Sequence, residues 1–136
     1  RLKTFLKHVP RDTPAAFDFR NQTWFEDDVV ELLRSENRAL VVSDTEDLPA
    51  VYMEKTADWG YLRLRRVRYT KPELKKWIKW MQAQGWKDTF VFFRHEDEGT
   101  GLQELRRFLS LLQRRGESEV TDRNRRTWGA VSWSER

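Results

Sequence analysis

The continuous apolar run of residues 39–42 constrains the fold of this chain more than any other feature. Four apolar residues in a row, without polar alternation, are typical of a parallel strand that is covered on both faces. Strand-like and amphipathic helical segments alternate before and after this run. Such alternation predicts a parallel sheet with right-handed crossover connections, so the sequence predicts an α/β fold. Both an open sheet and a barrel are compatible with this pattern.

The other elements are predicted from periodicity and from helix-start signals. Apolar residues at i, i+3, i+4 and i+7 between Leu74 and Met81 indicate an amphipathic helix. Residues 23–26 and 70–73 fit the capping box, with Thr as the N-cap and Glu three residues later. The predicted strands are residues 15–20, 39–43, 59–65 and 89–94, and the predicted helices are residues 2–8, 24–35, 71–84 and 101–115.

Composition sets limits on the class of protein. A length of 136 residues suits a single domain. Only 38% of the residues are hydrophobic, but 8 Phe, 7 Trp and 3 Tyr are enough to close a core, so disorder throughout is not expected. The net charge of +4 weakly favours the binding of polyanions. A surface of solvated Arg and Lys side chains explains this charge equally well. The absence of cysteine excludes disulfides, thiolate metal sites and cysteine catalysis.

The sequence indicates a cytoplasmic protein. No apolar stretch approaches the ~20 residues of a membrane span, so no membrane partner is expected. No signal-peptide pattern lies at the start. The first residue is Arg1, and we expect the chain to be a piece of a longer protein.

Residues 116–136 differ in character from residues 1–115, because they are rich in Arg, Ser and Glu. We expect this segment to be a poorly ordered polar tail. The alternatives are that its two Trp residues dock on the body of the domain, or that the tail covers a sheet edge. Its sizeable apolar residues are Val120, Trp128, Val131 and Trp133.

Charged residues collect at the carboxyl ends of the predicted strands, which is where sites form in parallel α/β folds. Two interpretations stay open: ion pairs that satisfy one another, and a pocket that receives a phosphate, a carboxylate or a sugar acid. Trp24 fits stacking on a sugar or base, and equally a lid over the core. The candidate substrate-binding residues are Asp18, Arg20, Trp24, Arg63, Arg65 and Arg94.

The candidate catalytic residues are Asp44, which ends the second strand, and His95 and Glu96, which follow the fourth. Histidine titrates near neutral pH and therefore suits general acid/base catalysis. A hard-cation site of Asp44, Glu96 and Asp97 is a weaker alternative, and hydrogen bonding within the loop is the structural one. The sequence indicates no transition-metal site and identifies no cofactor.

Four segments resemble motifs of the YecE-like family, which is domain of unknown function seventy-two. Residues 17–24 resemble its E/D-F-R-x-x-x-W stretch, and residues 42–45 resemble its A-D-T strand end. Residues 57–66 resemble its T-A-D-x-x-Y-x-R-L strand, and residues 92–99 its F-F-K-H-E-D-E segment. The segments follow family order and spacing, and the resemblance covers roughly residues 14–112.

The resemblance implies a partial TIM-type (β/α) barrel, in which residues 1–115 form the C-terminal half. A full barrel needs ~250 residues, so four strands match the length of this chain. The resemblance implies no established reaction. Arg94 stands where Lys is common in the family, and the tail matches nothing in it.

Three functions stay open for such a domain. The first is a hydrolase or isomerase that acts on an anionic or sugar-like substrate at the C-terminal mouth of the barrel. The second is a nucleic-acid-binding module, suggested by the basic charge and the arginines of residues 114–136. The third is a non-catalytic interaction or remnant domain. Two unpaired sheet edges leave a homodimer that completes the barrel as one outcome, beside a fragment of a longer protein and an edge that the tail covers.

Overall fold

The computed structural model describes residues 1–21, 24–47, 53–93, 100–113, 120–122 and 129–134. These residues contain four helices and six strands. In chain order the elements are α1 (Leu2–Leu6), β1 (Ala16–Phe17), α2 (Asp27–Ser35), β2 (Ala39–Asp44), β3 (Trp59–Leu64), α3 (Lys71–Ala83), β4 (Asp88–Phe93), α4 (Thr100–Gln113), β5 (Val120–Asp122) and β6 (Gly129–Ser134).

All six strands belong to one sheet, with the order β1-β2-β3-β4-β6-β5. The strands β1 to β4 are parallel to one another. With the flanking helices they form the predicted α/β fold of four parallel strands. β6 pairs antiparallel with β4 along its full length, and β5 pairs antiparallel with β6.

The main core lies between the sheet and the helices α3 and α4. Every second residue of β3 is fully buried there, because strand side chains alternate between the two faces. We call this side of the sheet the helix face. Among the buried side chains of this core are Val42, Leu62, Leu64, Leu74, Ile78, Val91, Phe93, Leu105 and Phe108.

Helix α3 begins with the predicted capping box. The backbone N–H of Thr70 donates to the Glu73 carboxylate at 2.7 Å, and the backbone N–H of Glu73 donates to the Thr70 hydroxyl at 3.3 Å. Pro72 lies in the first turn, where its missing N–H leaves no intrahelical bond unmade. Gly85 follows the helix with φ of 65°, a conformation that favours glycine. Local signals therefore fix both ends of this helix.

Two predicted elements begin or end elsewhere. Helix α2 begins at Asp27, with Glu26 as the N-cap and no side-chain cap bond, so the predicted start at residue 24 is wrong. Thr23, the predicted cap, lies outside the described residues. Strand β1 pairs with β2 only over Ala16–Phe17, so the predicted end at residue 20 is too late. After Phe17 the chain turns away from β2, and the ring of Phe19 packs edge-on against Phe25.

The tail contributes strands to the sheet in the part of it that the structure describes. These strands are β5 and β6. The edge of β4 offers a full row of N–H and C=O groups, with which β6 pairs. The edge of β4 that we expected to be unpaired is thus covered by the chain itself.

Residues between α1 and β1 are held to the sheet by a buried arginine. Arg38 is 1% exposed, and its guanidinium donates to the backbone carbonyl oxygens of Val9, Pro10 and Thr13. Backbone carbonyl dipoles therefore stabilise a cation that lies directly before β2. This contact fixes the position of the chain that leads into β1.

No helix in the described ranges is long and apolar enough to cross a membrane. The longest of them, α4, has 14 residues, whereas a membrane span needs ~20.

Candidate functional site

The sheet has a second face, on the side away from α3 and α4, which we call the aromatic face. Trp59, Tyr61 and Arg63 of β3 and Phe90 and Phe92 of β4 lie on it, in alternation with the buried residues of the helix face. All five are half-buried. The alternation predicted from the sequence therefore holds, with the leucines of β3 under the helices and Arg63 on the opposite side.

An ion pair spans three strands of this face. A guanidinium N–H of Arg63 on β3 donates to the carboxylate of Asp18, which directly follows β1. The two side chains are 26% and 29% exposed, so water reaches the pair only in part. Asp18 and Arg63, both predicted from the sequence, are thus brought together by the fold.

Two aromatic pairs lie beside this ion pair. The rings of Tyr61 and Phe92 stack with centroids 4.8 Å apart and planes at 22°, and the rings of Trp59 and Phe90 meet edge to face at 5.8 Å. Burial raises the pKa of Tyr61, Arg63 lowers it, and Asp18 raises it. The Tyr61 hydroxyl is therefore neutral at physiological pH and available as a hydrogen-bond donor.

A cleft of about 230 Å³ opens beside Arg63 and the stacked rings of Tyr61 and Phe92, at the carboxyl ends of β3 and β4. Its walls combine two guanidinium groups with aromatic rings, which suits a ligand that carries both an anionic group and an apolar surface. Arg63 and Arg65 were predicted from the sequence as site residues, whereas Tyr61 and Phe92 were not. Their alternation in phase with Arg63 along β3 and β4 was the available signal. The lining residues are Tyr61, Arg63, Arg65, Phe92 and Phe93.

Asp44 does not belong to this cluster. It pairs in register with Leu64, so its side chain lies on the helix face, where it is 2% exposed. The Tyr69 hydroxyl donates to Asp44 Oδ2 at 3.0 Å, and Arg66 Nη2 donates to Asp44 Oδ1 at 3.1 Å. The fold therefore does not bring the Asp44 carboxylate together with Arg63 on the aromatic face. This carboxylate anchors the connection between β3 and α3.

The other predicted residues are distributed as follows. Arg20 is exposed, and Arg65 lines the cleft while its backbone N–H donates to the Asp44 carbonyl oxygen at 2.8 Å. Trp24 is 39% exposed and stacks on Phe19 with centroids 5.2 Å apart, as an aromatic cover rather than a wall of the cleft. Three predicted residues lie outside the described part of the chain: Arg94, His95 and Glu96.

Fold and site together define the class of protein, an α/β domain with a polar cluster at the carboxyl ends of its parallel strands. The family model described as "Protein of unknown function DUF72" matches residues 1–127, and the chain belongs to this family. The resemblance found in the sequence is thereby confirmed at the level of the family.

A solved structure of a DUF72 family protein from Thermotoga maritima shares the fold, with a TM-score of 0.67 at 22% sequence identity. The match covers 82% of this chain and 50% of that chain, so the chain spans about half the length of that protein. The comparison with curated proteins found no match.

Proposed function

We propose that the aromatic face binds a small anionic or sugar-like ligand at the carboxyl ends of β3 and β4. The observation that carries this proposal is the Arg63–Asp18 ion pair beside the stacked rings of Tyr61 and Phe92, at a cleft of about 230 Å³. An arginine that a carboxylate orients and an aromatic wall that excludes water are the parts of a site for a ring that carries an anion.

The ion pair with Asp18 does not use all the hydrogen-bond donors of the Arg63 guanidinium. Arginine has five N–H donors in a planar fork, and one carboxylate cannot occupy all of them. The Arg63 side chain keeps 26% of its surface exposed, so a ligand oxygen can reach it. Because the surroundings of Arg63 partly exclude water, such a charge-assisted hydrogen bond is stronger there than the same bond in water.

The proposed chemistry is that of a hydrolase or isomerase. Both reactions need an acid/base group next to the ligand, and we assign this role to Asp18, the carboxylate that pairs with the cleft residue Arg63. His95 and Glu96 lie shortly after β4 in the sequence and remain predicted catalytic residues. Asp44 is left out of the catalytic set because its carboxylate lies on the helix face.

Calorimetric titration with inorganic phosphate and with glucuronate tests the proposal. We expect both anions to bind the chain, and Arg63→Gln to weaken binding of each by about tenfold, since a charge-assisted contact is worth about 1.5 kcal/mol or more. Arg68→Gln is the matched control, because Arg68 is an exposed arginine of the β3–α3 connection. Equal affinities of the Arg63 and Arg68 variants would contradict the proposal.

A further inference from the structure

We propose that a second cavity, beside the helix face of the sheet, binds a free α-amino acid with an apolar side chain. The cavity has a volume of about 280 Å³ and lies between the β2–β3 connection and α3. Its lining residues all fall between Asp44 and Trp80, so elements that are consecutive in the chain enclose it. The cavity is separate from the aromatic face, and the inference does not depend on the function proposed there.

The connection from β2 to β3 explains why the cavity exists. Neighbouring parallel strands are usually joined through a helix that packs against the sheet. In its described residues, 45–47 and 53–58, this connection contains no helix. It runs along α3 instead, where Lys55 Nζ donates to the Gln84 carbonyl oxygen at 2.6 Å. The flank of α3 on this side therefore borders a cavity rather than a packed helix.

The apolar wall of the cavity consists of Met53, Trp77 and Trp80. The two indole rings meet edge to face with centroids 5.9 Å apart, and all three side chains are half-buried against the core. Aromatic and thioether surfaces of this kind pack well against a ring or a branched aliphatic group. Pockets for drug-sized molecules begin at roughly 300 Å³, so this cavity is limited to a smaller ligand.

An oriented guanidinium group provides the contact for the carboxylate of the ligand. Asp44, whose side chain is 3% exposed, holds Arg66 through Nε at 2.9 Å from Oδ2 and through Nη2 at 3.1 Å from Oδ1. The third nitrogen, Nη1, lies 3.7 Å from Glu73 Oε1, which is beyond hydrogen-bond distance. Nη1 can therefore donate to a carboxylate in the cavity, while the buried Asp44 fixes the orientation of the guanidinium.

Glu73 provides the contact for the ammonium group of the ligand. Its Oε2 accepts the backbone N–H of Thr70 at 2.7 Å, and its Oε1 is the oxygen that lies nearest to Arg66 Nη1. The hydrogen bonds with Thr70 lower the pKa of Glu73, so this carboxylate is ionised at neutral pH. An α-amino acid carries its ammonium and carboxylate groups on one carbon atom. These two groups match Glu73 Oε1 and Arg66 Nη1, which are close neighbours in the cavity wall.

The charge balance of the lining favours a zwitterion over a simple anion or cation. Asp44 and Arg66 neutralise one another, which leaves the carboxylate of Glu73 and the ammonium group of Lys76. A ligand with a carboxylate alone would bring its charge next to Glu73 without compensation. A ligand with an amine alone would do the same next to Arg66, and such like-charge contacts are unfavourable.

Heteronuclear NMR during titration with L-phenylalanine tests this inference. We expect the indole N–H signals of Trp77 and Trp80 to shift with one saturation curve. The signal of Trp59, on the aromatic face, should stay unchanged. The same titration with 3-phenylpropionate, which has the ring and the carboxylate but no ammonium group, should give an affinity about tenfold lower or less.

The variant Glu73→Gln separates ligand recognition from stability. Glutamine preserves the capping box, because its amide oxygen can accept the Thr70 N–H, but it removes the negative charge. We expect this variant to bind L-phenylalanine about tenfold more weakly and 3-phenylpropionate no more weakly than the wild type does. The matched control is Glu31→Gln, which removes the same charge from the exposed face of α2 and should change neither affinity.

Two results would overturn the inference. The first is an equal affinity for L-phenylalanine and 3-phenylpropionate that Glu73→Gln leaves unchanged, because the cavity would then not recognise the ammonium group. The second is the absence of saturable shifts at Trp77 and Trp80 with millimolar L-phenylalanine. Shifts at Trp59 alone would have the same meaning, since they would assign the ligand to the aromatic face.

Discussion

The ion pair between Arg63 and Asp18 joins β3 to the segment after β1, across the intervening strand β2. The two residues are 45 positions apart in the sequence. The pair therefore links the short edge strand to the centre of the sheet, on the face where we place the ligand. Experiments can separate its structural role from the binding role that we propose for it.

Replacing Asp18 and Arg63 by Ala, singly and together, should reveal a coupling free energy of about 1 kcal/mol in urea unfolding, because both side chains are partly shielded from water. The coupling should fall at high salt, since water and ions still reach the pair. Additive effects of the two substitutions at low salt would mean that the pair contributes nothing to the stability of the fold.

Asp44→Ala should lower the free energy of unfolding by about 3 kcal/mol, because it leaves the buried hydroxyl of Tyr69 without its acceptor and the guanidinium of Arg66 with only the longer contact to Glu73, at 3.7 Å. Asp44→Asn keeps one acceptor oxygen and should cost less. Phosphate affinity of the Asn variant should match that of the wild type, because Asp44 lies on the helix face. If Asp44→Asn lost phosphate binding at unchanged stability, Asp44 would belong to the binding site.

Tyr69 should make stability fall at alkaline pH. Burial raises the pKa of Tyr69 far above its ordinary value of about 10, so the folded protein keeps a proton that the unfolded chain releases. The contribution of the protonated Tyr69 hydroxyl to the free energy of unfolding is complete below pH ~10 and is lost as the pH rises above that value. The stability difference between the wild type and Tyr69→Phe should therefore shrink above pH ~10. A difference that is constant from pH ~8 to ~11 would contradict this.

Gly60→Ala should destabilise the protein by about 2 kcal/mol or more, because a Cβ at this position would lie 2.3 Å from Cε3 of the buried Trp86 ring. Adding Trp86→Leu should recover part of that loss. Gly85→Ala is a useful comparison, since its Cβ meets no atom within 4 Å and its cost of about 1 kcal/mol comes from the positive φ alone. Equal Tm values for the two alanine variants would speak against close packing at Gly60.

The sequence predicted most reliably what short-range interactions determine. Helix α3 was expected at residues 71–84 and spans Lys71–Ala83, because its capping box and its apolar stripe act within a few residues. Strand β1 was expected at residues 15–20 but ends at Phe17, although the alternation continues to Phe19. Pairing with β2 decides where a strand ends, and local alternation contains no information on that pairing.

Long-range register explains the remaining differences. Asp44 and Arg63 both lie near strand ends, yet a shift of one residue in register decides which face each side chain joins. Asp44 pairs with Leu64 rather than with Arg63, which separates the two predicted site residues. The sequence left the placement of the tail open for a related reason, since β6 depends on pairing with β4, at least 36 residues earlier.

Heteronuclear NMR during titration with inorganic phosphate would test the central claim most directly, that the aromatic face is the anion site. We predict that the side-chain Nε–H signal of Arg63 and the backbone signals of β3 and β4 shift with a single saturation curve. A competing basic cleft lies between α3 and α4, where Lys71, Arg106 and Arg107 meet. Chemical-shift changes confined to these three residues, with the Arg63 signal unchanged, would contradict the claim that the aromatic face is the anion site.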